Sequence, residues 1–436
     1  KERIIMLYTL DALIMAINAF LIMTSLFILC KDFLRNPNGV LMNIYSFSLV
    51  FALFYYGVPF LNIEYLYSFF GYNISLENII AAKLIALWTL LVFFISYFFS
   101  RKRHLIKRYK LNFVPTSSNV KYSRVICYIV LCSGPLIAAL VTKDIGSLLI
   151  INFNDRVSAQ SIYSEYEVKY KLPILFYLTL ISYFFVYISG RTTFYKKILI
   201  LLPFLVCIPE ALSGGRDLMF AFVLFCFVIY SLNNSKRKIL LISVPAFMVI
   251  LAMVIIRYYL TRDENNTTLA YNVYSMLAEF YHTAFTSAYV FEHDLNNVQN
   301  GFLYLMLPLL KFFTPLLNLF NDGVNIPWYA DVVSEKIGRH FGFAGNIISE
   351  SYFYFGYIGT IIMPIIIVLI LSYHNRDSIK FSSIGFTMYI VMAINVRLFF
   401  RGSFWDNYTS LLIWLMIFFT ITGLLFSKRK MVIGER

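Results

Sequence analysis

Apolar residues run along this chain in long blocks separated by short polar stretches. A helix rises 1.5 Å per residue and needs about 20 residues to cross the hydrocarbon of a bilayer. Blocks of that size recur along the whole length and predict eleven helices, at roughly 7–30, 39–61, 79–100, 124–142, 172–189, 197–212, 216–232, 239–257, 351–372, 381–396 and 407–427. The short alternating segments that build a membrane β-barrel are missing. The stretch 301–320 is also apolar, but Pro308, Lys311 and Pro315 break it, so it reads as interfacial or re-entrant helix. If 271–291 and 301–320 both crossed, the count would be thirteen and everything after them would keep its sidedness. The expected fold is therefore an all-α polytopic membrane protein, a single membrane domain over 1–436 with one long segment at 258–350.

Composition agrees with lipid as the main solvent: 60% of the 436 residues are hydrophobic and 14% are charged. The first block is too long for a signal-peptide core, and no small-x-small cleavage site precedes Lys31. Cys30, Cys127, Cys132, Cys207 and Cys226 all fall inside apolar blocks, which reads as packing with neither a disulfide framework nor metal spacing. A net charge of +14 would suit nucleic acid, but the basic residues sit in short loops between helices, a topology signal that removes that reading.

Those loops alternate. Arg101-Lys102-Arg103 through Lys121, Arg191 with Lys196 and Lys197, Lys236-Arg237-Lys238, Arg376 with Lys380, and Lys428-Arg429-Lys430 fall on one side, which the positive-inside tendency makes cytoplasmic together with the C-terminus. The outer side then receives 62–78, 143–171, the turn at Gly214–Arg216, the long segment 258–350 and the turn 397–406.

Charge on that outer face is the first hint of chemistry. Arg156, Arg216, Arg257, Arg262, Arg339, Arg397 and Arg401 lie where the positive-inside tendency should have depleted arginine. A guanidinium stays charged and forks two donors onto phosphate, so such a set suits an anionic headgroup or diphosphate. The plainer explanation pairs each with Asp155, Asp217, Asp263 or Asp406, or lets Arg397 and Arg401 snorkel to headgroups. In Ser213-Gly214-Gly215-Arg216-Asp217, the glycines would let backbone N–H groups approach an anion. Glu350 opens the 351–372 block, where it either caps the helix through its dipole or serves as a general base. His340, beside Arg339, and Asp217 are further candidate bases, against an exposed loop position for His340. No Asp-x-Asp, His-x-x-x-His, Walker loop or Gly-x-Ser-x-Gly occurs where it would carry chemistry, so any catalysis is expected to need no metal, cofactor or nucleotide.

About a dozen helices, the turn Gly214-Gly215-Arg216-Asp217 before an apolar block, a large late outer segment, and the closing run Glu350-x-Tyr352-x-x-Phe355-Gly356-x-x-Gly359 together resemble the bacterial O-antigen polymerases (Wzy). The resemblance covers nearly the whole chain in architecture, through short motifs. It implies a type C, metal-independent glycosyltransferase of the inner membrane that joins undecaprenyl-diphosphate-linked oligosaccharide repeat units at the periplasmic face. Membrane lipids, and a chain-length regulator protein as a candidate, would be its partners. Arg216, Arg257 and Arg339 would then hold the diphosphate, followed by Arg156, Arg397 and Arg401, with Glu350 the first choice of base ahead of His340 and Asp217. Two alternatives stay open. The related O-antigen ligases carry a His-Asn pair where this chain has Gly345-Asn346. A flippase or transporter would place ionisable groups near the midplane of paired repeats, where this chain offers Asp11, Lys83 and Glu210 and no evident repeat.

Overall fold

The computed structural model describes residues 2–64, 73–106, 112–113, 119–151, 156–188, 194–213, 215, 217–234, 236–243, 245, 248, 283–306, 329–337, 345–376, 383–401, 404–421 and 431–432. Among these the protein is helical, apart from a two-residue antiparallel pairing of Asn112–Phe113 with Met431–Val432. Among the described residues, five helices are long and apolar enough to cross a membrane: Arg3–Arg35, Ile44–Leu61, Leu76–Leu105, Arg124–Ser147 and Ile347–Asn375. A sixth arises if the bent pair Ser161–Glu167 and Leu172–Tyr187 is one span, and Leu201–Leu212, Asp217–Ser231 and Leu411–Ile421 are shorter apolar helices. Each of these except Ser161–Glu167, which falls in the stretch 143–171 expected as an outer loop, coincides with an apolar block of the sequence. The expected 239–257 helix lies largely outside the described residues, as does most of 258–350.

The chain folds into two compact units. The first gathers 1–107, 262–375 and 395–410, and the second 108–261, 376–394 and 411–436. In the first, the Leu76–Ile106 helix is the central post against which Glu2–Arg35, Ile44–Ala52 and Ile347–Asn375 pack. The block read as one helix over 39–61 is in fact broken. It begins as Pro37–Leu41 and restarts at Ile44 behind Asn43, whose side chain accepts the Tyr45 N–H. It then widens into a π turn at Leu53–Gly57 and tightens to a 3-10 turn at Pro59–Leu61. Buried charge crosses this unit: Lys83 Nζ, 1% exposed, reaches Asp11 Oδ1 at 2.7 Å and also pairs with Glu64. An unpaired ammonium in an apolar interior is costly, and two carboxylates offset that cost here while tying three segments together.

In the second unit, Asn119–Ile151 packs against Leu172–Ile188 and Leu201–Leu212. The stretch expected as an outer loop, 143–171, is mostly helix: the first helix runs on to Ile151, and Arg156–Tyr170 follows as a second. Val141, Ile145, Ala159, Tyr163 and Leu172 bury one another, so this second helix is held by its apolar face. Lys171, in the left-handed region at φ 50, makes the sharp bend into Leu172–Ile188.

Candidate active site

Buried polar groups gather at the start of the 347–375 helix, in the first unit. Asn346 caps it: its Oδ1 accepts the Ser349 N–H at 2.9 Å, and the Ser349 hydroxyl accepts the Asn346 N–H at 3.0 Å. This reciprocal box satisfies two of the donors that a helix start leaves over. The Asn346 amide nitrogen donates to the Thr283 carbonyl at 2.5 Å and to the Ser287 hydroxyl at 2.8 Å. The helix at 283–292 therefore turns Thr283, Thr286 and Ser287, each 0% exposed, toward the cap. Tyr329 lies over Gly345, where a Cβ would meet its ring at 2.5 Å, and its hydroxyl faces Ser349 and Thr286. Burial pushes its phenol well above the ordinary tyrosine value although those hydroxyls pull the other way, so it stays neutral, and its hydroxyl is buried without a hydrogen bond of proper geometry.

Glu350 occupies the next position. Asn346 supplies the side-chain cap, and the Glu350 carboxylate lies in the first turn behind it, at the positive end of the helix dipole. Its backbone N–H makes the first helical bond, to Asn346 O at 3.0 Å. Its side chain, 6% exposed, accepts the Tyr304 hydroxyl on Oε1 at 2.8 Å. Tyr304 is itself fixed by stacking on Tyr354, rings 3.9 Å apart and 12° from parallel.

A second helix end arrives at the same place. The Tyr56 hydroxyl, wholly buried in the π turn, accepts the Ile347 N–H at 3.1 Å and donates to the Phe400 carbonyl at 3.2 Å. Phe400 packs on Phe93 at 4.8 Å and on Tyr56 at 5.5 Å. One hydroxyl thus joins the start of the Glu350 helix to the end of Ser383–Arg401, whose last turn carries Arg401 and whose preceding turn carries Arg397. Arg397 is 6% exposed and Arg401 half-buried, and both belong to the first unit.

Of the Gly-Gly turn, Ser213, Gly215 and Asp217 are among the described residues. In the second unit, the Glu210 carboxylate accepts the Asp217 N–H at 3.1 Å and the Leu218 N–H at 2.7 Å and so caps the Asp217–Asn233 helix, while the Glu210 carbonyl accepts the Gly215 N–H at 2.8 Å. Gly215 packs so tightly on Glu210 that a Cβ would stand 2.4 Å from its Cγ.

Of the residues singled out from sequence, Glu350, Arg397 and Arg401 lie in the first unit, with Glu350 and the arginine-bearing helix end joined through Tyr56, and Asp217 begins a helix in the second. Arg156 begins the Arg156–Tyr170 helix, with its side chain outside the described residues. Arg216, Arg257, Arg262, Arg339 and His340 lie outside the described residues altogether. Sequence reading missed Tyr304, Tyr56, the Asn346–Ser349 box and the capping role of Glu210. Only the box had a local signal, an Asn three residues before a Ser at the head of an apolar run. Among the described residues, no three His, Cys, Asp or Glu side chains converge as a metal site requires.

A family model described as O-antigen polysaccharide polymerase Wzy matches residues 3–431. The chain belongs to the O-antigen polymerase (Wzy) family. Neither the curated proteins nor the solved structures gave a match. Membership across nearly the whole length, together with the apolar helices, makes this a multi-pass membrane protein of lipopolysaccharide biosynthesis. In general terms it is a glycosyltransferase-type enzyme that polymerises O-antigen repeat units.

Proposed function

We propose that this O-antigen polymerase joins undecaprenyl-diphosphate-linked repeat units by metal-independent glycosyl transfer at the periplasmic face of the inner membrane. The long 258–350 segment lies on that face, some eleven spans cross the bilayer, and the C-terminus is cytoplasmic. The acceptor sugar hydroxyl attacks the anomeric carbon of the growing glycan, the bond from that carbon to the diphosphate oxygen breaks, and the electron pair leaves on the diphosphate. Glu350 takes the proton of the attacking hydroxyl, with His340 and Asp217 as the next candidates. Arg216, Arg257 and Arg339, then Arg156, Arg397 and Arg401, bind the diphosphate and stabilise the charge that develops on it.

The observation that supports this reading best is the meeting at Tyr56. It brings the helix start that bears Glu350 to the helix end that bears Arg397 and Arg401, a base and a cationic clamp served by one buried hydroxyl.

Purified protein in lipid nanodiscs, given lipid-linked repeat units extracted from cells lacking the polymerase gene and no ion gradient, is expected to yield longer glycans on gels. Glu350→Gln should slow the reaction by about 10²- to 10⁴-fold, the usual worth of a general base. Arg397→Lys and Arg401→Lys, which keep the charge and lose the planar fork, should each raise KM or lower turnover. A normal ladder from Glu350→Gln would remove the base. Normal ladders from Arg216→Ala and Arg339→Ala together would remove the arginine clamp. The transporter alternative draws its support from the buried Lys83–Asp11–Glu64 set. Repeat units that moved across the bilayer without growing longer would favour it.

A further inference from the structure

The segment that delivers Tyr304 is strapped to a break in the 347–375 helix. Gly356 stands at φ 62 and ψ −160, a conformation open in practice only to glycine, and it divides the helix in two. Next to the break, the Phe353 carbonyl accepts the Asn297 N–H at 2.5 Å, a bond from outside the helix. Three further fastenings hold the same strap. The Tyr352 hydroxyl donates to Asp294 Oδ1 at 2.6 Å, the Trp405 indole donates to the Leu305 carbonyl at 2.8 Å, and Gly301 lies flat on the helix, where a Cβ would stand 2.5 Å from the Tyr354 carbonyl. Between these fastenings Tyr304 is 1% exposed and stacked face to face on Tyr354, so its ring has no room to swing. Its hydroxyl ends on Glu350 Oε1 at 2.8 Å.

We infer that Tyr304 is the positioning residue of Glu350, and that the strap at 294–306 exists to hold it there. This rests on the reading of Glu350 as the base. A glutamate has three side-chain torsions and would sample several rotamers at a helix start. A hydrogen bond from a ring that cannot move selects one of them before the acceptor arrives. Tyr304 acts only through the carboxylate it orients. The break at Gly356 is part of the same device, because the Phe353 carbonyl beside it is where the strap attaches.

Turnover and KM measured in nanodiscs with the extracted lipid-linked repeat units, alongside denaturant unfolding midpoints, test this. Tyr304→Phe removes one hydroxyl and keeps the stack. Turnover should fall about 10- to 100-fold, the scale of a misplaced catalytic group, with KM within about twofold and an unfolding midpoint close to the parent's. Glu350→Asp withdraws the carboxylate by one methylene and should lower turnover similarly. Tyr304→Phe added to Glu350→Asp should then cause little further loss, because the contact is already gone. Parental turnover in Tyr304→Phe, or losses that multiply in the double variant, would overturn the positioning role. A fall in midpoint matching the fall in turnover would assign Tyr304 to stability alone. Glu350→Gln separates the two levels. If it is fully active, the base reading fails and this role goes with it. If it is inactive while Tyr304→Phe is normal, only the positioning role fails.

Discussion

Replacing Asn346 by alanine tests whether the cap, and not Glu350, holds the 347–375 helix start. Asn346 is 0% exposed and its amide serves three groups: the Ser349 N–H, the Thr283 carbonyl and the Ser287 hydroxyl. Losing the cap alone costs about 1 kcal/mol. Leaving a buried polar group without its partner adds about 1–3 kcal/mol. The Thr283 carbonyl still receives the Thr286 hydroxyl at 2.8 Å, so the lower part of that range applies to it. With about 1 kcal/mol for the cap and about 1 kcal/mol at each of the Thr283 carbonyl and the Ser287 hydroxyl, the sum is about 3 kcal/mol, a factor of roughly 100 in the unfolding equilibrium. Denaturant titration in mild detergent, followed by tryptophan fluorescence, measures it. Asn346→Ser keeps a capping oxygen and loses the amide's reach, so it should cost about half as much. Glu350→Gln should sit close to the parent in stability, because a carboxamide oxygen still accepts from Tyr304. If Asn346→Ala lies within about 0.5 kcal/mol of the parent, or if Glu350→Gln costs more than Asn346→Ala, the assignment of cap and carboxylate is wrong.

Gly356→Ala should destabilise by about 1–3 kcal/mol although nothing lies within 4 Å of the new methyl, because the cost is in the backbone dihedrals; it is read from the same titration. Gly215→Ala would drive its methyl into Glu210 and free the Asp217 and Leu218 N–H groups. It should cost about 1.5–3 kcal/mol, as Glu210→Ala does, and the double variant should cost little more than either. Glu292 is the pH-sensitive tie of the first unit. Burial works against its ionised form, but hydrogen bonds from Asn78, from the Ser75 hydroxyl and from the Ser75 N–H outweigh it and hold the carboxyl below the usual glutamate range. A folded value below the unfolded one means that the stabilisation is complete above the ordinary glutamate pKa and fades as pH falls through the lowered value. Hydrogen exchange at Ser75 and Asn78 should therefore accelerate in acid beyond the intrinsic trend, and Glu292→Gln should show the faster rate already at neutral pH.

The parts that sequence made legible are those fixed by solvent. A long apolar run must become a helix in lipid, because every backbone N–H and C=O has to be satisfied within the segment. The runs at 7–30, 79–100, 124–142 and 351–372 accordingly appear inside Glu2–Arg35, Leu76–Ile106, Asn119–Ile151 and Ile347–Asn375. The break within 39–61 was partly written in Asn43 and Pro59, which mark a cap and a turn, yet unbroken hydropathy concealed it. Hydropathy reports what surrounds a residue and is blind to dihedral angles. The site was harder still. Glu350 stood out as a charge at the head of an apolar run, but Tyr304 lies 46 residues away and Tyr56 lies 291 residues from Ile347, and no spacing rule spans such distances. Asp11 and Lys83 were each conspicuous as ions in apolar blocks, and only the packing of Glu2–Arg35 against Leu76–Ile106 shows that they belong together.

Helix electrostatics give the meeting at Tyr56 its physical sense. The start of the 347–375 helix carries partial positive charge and the end of the 383–401 helix partial negative charge, so the two ends attract. Tyr56 matches that polarity, accepting from the first and donating to the second. Arg401, in the last turn, adds a cation at the negative end, which is favourable in its own right. The same arrangement sets a carboxylate one turn into the positive end and arginines one turn into the negative end, each stabilised by its own helix before any substrate is present. Arginine at this turn is thus retained for the helix whether or not it binds ligand, and the discriminating change is the one that keeps the charge and removes the fork.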